Sequence, residues 1–126
     1  MKRILLIAAL ACFATAAQAA QFGDMNEAEL LKAVAGKTVY LNTRGYVLPI
    51  AYSPDGTMHG RLQAIAASLA GGSVDSGRWW IVSNQLCHRW NRWLKGKTYC
   101  YKISRQGRSV VWVRHDGRRG TLRLGG

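Results

Sequence analysis

The punctuation of the chain after Gly36 constrains its fold more than any other feature. Short runs rich in Val, Ile, Tyr, Trp and Thr alternate with turn signals, and no long helical stretch separates them. The runs fall at residues 38–42, 46–52, 57–63, 79–82, 86–90, 98–104, 109–115 and 121–124. Ser53-Pro54-Asp55-Gly56 is a strong turn signal, and Ser83-Asn84 and Gln106-Gly107 mark further turns. Asp116-Gly117 suits the positive φ of a tight hairpin. Residues 64–72 (Ala-Ile-Ala-Ala-Ser-Leu-Ala-Gly-Gly) read equally as a helical turn or a small-residue loop. The pattern predicts a mainly β fold, a small antiparallel meander or barrel of seven to eight strands with one short N-terminal helix. That helix is expected over 24–35. Asp24 and Glu27 have capping-box spacing, Met25, Ala28, Leu30, Leu31 and Val34 share a side, and Gly36 stops it.

Residues 1–19 read as a separate unit. A basic Met1-Lys2-Arg3 start is followed by an apolar run and by the small residues Ala17-Gln18-Ala19, the layout of a secretory signal peptide cleaved after Ala19. The run is shorter than the about 20 residues of a membrane span. Lipidation at Cys12 would need a better match than Ala9-Leu10-Ala11 before it. The expected organisation is therefore a signal peptide at 1–19, an N-terminal helix at 20–36 and a disulfide-stapled β domain at 37–126. The expected location is the periplasm or the exterior.

Removal of Cys12 leaves Cys87 and Cys100, an even pair that in an exported chain reads as a disulfide. Setting them opposite each other centres a hairpin between Trp93 and Leu94 and pairs His88 with Tyr99 and Arg89 with Thr98. The closed loop of about a dozen residues is worth about 2–4 kcal/mol. No C-x-x-C or H-x3-H spacing accompanies the pair, and Cys87-His88 lacks the earlier cysteine of a haem attachment motif. No metal or cofactor is expected.

Several specific motifs stand along the chain after Gly36: Tyr52-Ser53-Pro54-Asp55-Gly56-Thr57, Gly77-Arg78-Trp79-Trp80, Leu86-Cys87-His88-Arg89-Trp90, Tyr99-Cys100-Tyr101, Val111-Trp112 and Asp116-Gly117. Over residues 36–124 this resembles a family of small secreted proteobacterial proteins catalogued as a domain of unknown function. The resemblance implies a periplasmic or secreted β-rich domain with one disulfide, and it brings no activity and no catalytic residues. The tandem Trp79-Trp80 and the basic 88–97 stretch are richer than the family pattern.

Little in the sequence points to catalysis. Asp24, Glu27 and Glu29 belong to the expected helix, and Asp55 and Asp116 are turn residues, so only Asp75 lacks a structural role. No paired carboxylates stand out, and His59, His88 and His115 fall in no nucleophile or metal motif. A non-enzyme is expected, with an enzyme whose site forms only in space as an alternative. All five tryptophans lie between Trp79 and Trp112. Trp90, Trp112 and one of Trp79 and Trp80 are expected in the core. Trp80, pointing outward, and Trp93, at the hairpin tip, are expected to form an aromatic platform.

Composition matters chiefly through charge. The chain has 18 Lys+Arg against 6 Asp+Glu, a net +12, which becomes +10 without Lys2 and Arg3. Residues 21–75 sum to −1 and residues 76–126 to +11. Arg89, Arg92, Lys95 and Lys97 cluster on the disulfide hairpin, with Arg105 and Arg108 at the next turn and Arg118 and Arg119 on the last. These turns are expected on one rim, as a polyanion-binding face. The partners in view are anionic envelope lipid, lipopolysaccharide, acidic polysaccharide or an acidic protein, with nucleic acid bound only non-specifically. The alternative is a carrier of a small apolar ligand inside a lipocalin-like barrel. Inhibition of a lysozyme-like enzyme, commonly basic itself, would meet charge repulsion.

Overall fold

The computed structural model describes residues 22–125. The expected signal peptide, its cleavage point and Cys12 lie outside them. Nine strands and two short helices follow in the order β1 (Phe22–Asp24), α1 (Glu27–Val34), β2 (Lys37–Thr43), β3 (Tyr46–Tyr52), β4 (Thr57–Arg61), α2 (Ala64–Ala70), β5 (Val74–Val82), β6 (Gln85–Trp90), β7 (Thr98–Gln106), β8 (Ser109–Arg114) and β9 (Arg119–Leu124). β2 to β9 pair each with the next, antiparallel throughout, and β9 returns to β2, so eight strands close an up-and-down barrel. Closure removes the sheet edges that an open meander would expose. β1 is the extra strand. It pairs with Ser104, Arg105 and Gln106 of β7, where β6 has already ended.

Closure also sorts the connections. In an up-and-down barrel successive turns fall at opposite ends. The β3–β4, β5–β6 and β7–β8 turns and α1 share one end, called here the near end. The β2–β3, β4–β5, β6–β7 and β8–β9 connections share the far end.

α1 seals the near end with Leu30, Ala33 and Val34, joined by Met25. Its cap is not the expected one. Asn26 and Glu29 form the capping box, because Asp24 is drawn into β1. Leu31, expected on the buried side, is 54% exposed, because the stripe that α1 buries runs through Leu30, Ala33 and Val34. Asn84 of the β5–β6 turn accepts from the Glu27 amide at 2.9 Å and ties the helix down. The ambiguous 64–72 segment is the helix α2, ended by Gly71 at φ 86°.

The barrel interior is packed. Val39, Ile50, Met58, Trp79, Leu86, His88, Trp90, Tyr101, Ile103, Trp112 and Leu122 point inward from alternate positions. A cavity among Val39, Ile50, Leu86, His88, Tyr101, Ile103, Trp112 and Leu122 has about 10 Å³, room for roughly one water. Cys87 and Cys100 are bonded, and Cys87↔Cys100, His88↔Tyr99 and Arg89↔Thr98 are the register predicted from the spacing.

Candidate functional site

The β6–β7 connection exposes Arg92, Leu94, Lys95 and Lys97 but not its tryptophan. Trp93, expected in an exposed platform, is 3% exposed. The loop folds back into the far mouth of the barrel, where the Trp93 and Trp90 rings meet at 4.7 Å. Room for them comes from Gly60, which points inward. A Cβ there would lie 2.6 Å from Trp93 and 2.7 Å from Trp90. The Trp93 indole donates to the Gly72 carbonyl at 3.2 Å. Trp80, by contrast, faces outward and is 38% exposed, so the expected aromatic pair is divided between the outer wall and the interior.

Asp75, the acid without a role in the sequence, holds this arrangement. Its buried carboxylate accepts from the Arg92 and Trp93 amides at 2.8 and 2.9 Å, and Arg92 Nε lies 3.6 Å away. Burial works to raise its pKa, but those amide bonds and the Arg92 charge prevail and hold it below the ordinary carboxylate range. The Arg92 guanidinium also donates to the Val74 carbonyl at 2.7 Å. Having turned inward, the chain must reverse. Leu94 and Lys95 accordingly take left-handed backbone (φ 53° and 58°), followed by Gly96 at φ 64°.

The basic residues do not share one rim. Arg92, Lys95 and Lys97 stand at the far end with Arg118 and Arg119 of the last hairpin, and with Arg44, Arg61 and Arg114. Arg105 and Arg108 lie at the near end, because the β7–β8 turn alternates with its neighbours. Arg89 stands on the outer wall, directly opposite Arg78 across the β5–β6 pair.

The acids are sorted too. Asp24, Glu27, Glu29 and Asp55 all belong to the near end, beside Lys32, Lys37, Arg105 and Arg108. The far end holds Asp75 and Asp116, both engaged internally. Asp116 accepts two bonds from the Arg114 guanidinium at 2.7 and 2.6 Å. Hydrogen bonding and charge from Arg114 hold its carboxyl below the ordinary range. Arg114 in turn lies 4.1 Å over the Tyr99 ring, and His115 stacks on the same residue. Eight cations against two committed acids leave the far end at +6, whereas the four near-end acids stand among at least as many cations, with the Arg78 charge also acting on Asp55.

A groove of about 840 Å³ runs from this end down the outer wall of β2–β5. Its floor includes Thr38, Ala51, His59 and Ser76, paired in register, with Arg61 and Arg92 at its upper margin. His59 Nδ1 and Ser76 Oγ are 2.8 Å apart, the reach of a base and a hydroxyl. The acids nearest along the chain are committed elsewhere, Asp75 as above and Asp55 to Thr57. Nothing local in the sequence marked His59 and Ser76. They lie 17 residues apart and meet only through β4–β5 pairing.

Inside the barrel, His88 Nε2 is 3.0 Å from the Tyr101 hydroxyl, and its Nδ1 has no partner among the described residues. Burial, assisted by the Arg114 charge, pushes its pKa down to about 3, so the ring is neutral at physiological pH. Burial also lifts the Tyr101 phenol to about 12, against the opposing Arg114 charge. No group of three or more potential metal ligands occurs among the described residues.

No protein-family model, curated protein or solved structure matches this chain.

Proposed function

We propose that this chain is an exported, non-catalytic binding module that holds an anionic envelope component or acidic partner against the far end of its barrel. The observation that carries the reading is the separation of charge by ends. Every acid outside the near end is consumed by an internal contact, while Lys95, Lys97, Arg118 and Arg119 stand on two adjoining far-end connections. A field of one sign over such a surface attracts phosphate, sulfate or carboxylate groups. Export rests on the N-terminal signal and on the secreted-family resemblance of residues 36–124. The carrier alternative has no support in an interior cavity of about 10 Å³.

Retention on heparin resin tests the reading. Binding should be strong at low salt and fall steeply toward physiological ionic strength, because phosphate-like contacts release counterions. Replacing Lys95, Lys97, Arg118 and Arg119 with Glu should abolish retention. Replacing Arg105 and Arg108 with Glu, at the near end, should leave most of it. Equal losses from the two sets would show that overall charge, and no particular surface, binds the resin.

A further inference from the structure

We propose that the far end docks on an anionic lipid bilayer, with Leu69 and Leu94 entering the interface between headgroups and acyl chains. The inference rests on the anion-binding reading above and names its partner. Seven large apolar side chains are notably exposed among the described residues, and four of them, Val47, Leu69, Val74 and Leu94, belong to far-end connections or the strand ends beside them. Leu69 is 84% exposed and projects from α2, whose sequence Ala-Ile-Ala-Ala-Ser-Leu-Ala carries no charge. A helix facing water ordinarily turns a charged or strongly polar side outward. Leu94 is 39% exposed and stands on the left-handed reversal after Trp93, a conformation that disfavours a γ-branched side chain compared with Gly or Asn. The Trp93 indole bond to Gly72 and the Arg92 bond to Val74 fasten the Leu94 loop beside the exit of α2. Both leucines are therefore presented by anchored segments.

Around them stand Arg61, Lys95, Lys97, Arg118 and Arg119, with no uncommitted carboxylate at that end among the described residues. Apolar prongs ringed by cations match an anionic interface, where each methylene gains by burial and each cation by the surface potential. A soluble polysaccharide would use the cations and leave the leucines in water. An acidic protein would need a pocket for each separate prong. A fluid bilayer admits both without prior complementarity.

Co-sedimentation of the purified protein with vesicles tests this, using phosphatidylcholine alone and phosphatidylcholine mixed with phosphatidylglycerol. Binding is expected to the anionic vesicles only. Leu69→Ser combined with Leu94→Asn should weaken it at least about tenfold and leave heparin retention unchanged. Asn accepts left-handed backbone and Leu69 has little packing to lose, so the thermal melt of this variant should match the parent. The glutamate variant of Lys95, Lys97, Arg118 and Arg119 should lose both vesicles and heparin. Heparin retention without vesicle binding, or vesicle binding indifferent to the two leucines, overturns lipid docking and spares the anion-binding reading. Leucine-dependent retention on an immobilised acidic protein, without vesicle binding, also overturns it and makes the partner a protein. Failure on both vesicles and heparin overturns both.

Discussion

Successive residues of β4, β5 and β6 face two different surroundings. Met58, Gly60, Asp75, Gly77, Trp79, His88 and Trp90 point into the barrel, while His59, Arg61, Ser76, Arg78, Trp80 and Arg89 point out of it. The inner set is closely fitted: two glycines admit indoles and backbone, Asp75 is fully engaged, and His88 bonds Tyr101 through Nε2. The outer set tolerates unfavourable neighbours, as Arg78 opposite Arg89 shows. His59 and His88 make the contrast within one residue type. One lies exposed in an open groove against Ser76, and the other is desolvated and neutral. The inner face carries the stability of this molecule and leaves the outer face far less constrained by packing.

The largest effect should come from breaking the inner face. A Cβ at Gly77 would overlap the Arg89 carbonyl oxygen and crowd the Met58 methyl at 2.9 Å. Gly77→Ala should therefore destabilise by about 3 kcal/mol, the upper part of the overpacking range, as read by chemical denaturation. Removing the disulfide with Cys87→Ser and Cys100→Ser should cost about 2–4 kcal/mol. A loss well below about 1 kcal/mol would show that the β6–β7 pairing is held by the Trp90–Trp93 packing instead.

Acid should load the inner face through His88. His88 has a folded pKa of about 3 against an ordinary value near 6.5. Between these values the unfolded chain binds a proton that the folded chain refuses. Stability is thus complete above about pH 6.5 and falls as pH drops toward 3, by a few kcal/mol in total. His88→Gln should flatten that slope in melts taken across the range. At the small end, Arg78→Thr should change stability by no more than about 0.5 kcal/mol, with a slight gain because a like-charge pair is removed. A loss above about 1 kcal/mol would blur the distinction between the two faces.

Much of the fold was legible because strand patterning is local. The period of two along residues 46–52 and 86–90 follows from the pleat alone, and the Cys87–Cys100 register follows from counting outward from one loop. The helix start is not legible because Asp24 and Asn26 are both capable caps, and pairing of β1 with β7 decides between them. The burial of Trp93 is not legible because a loop tip ordinarily faces water. Its burial depends on Gly60 and Asp75, which reach it only through β4–β5–β6 pairing.

The sequence by itself determined the strand succession, the disulfide partners and a basic second half, since each depends on composition or on neighbours along the chain. The tertiary structure alone decided which cations act together. Closure of β9 on β2 alternates the turns between two ends, so it separates Arg105 and Arg108 from Lys95, Lys97, Arg118 and Arg119. It also gathers Asp24, Glu27, Glu29 and Asp55 at the near end and leaves the far end only Asp75 and Asp116, both in internal contacts. Charge along a chain is additive, but the field over a surface depends on where closure places each charge.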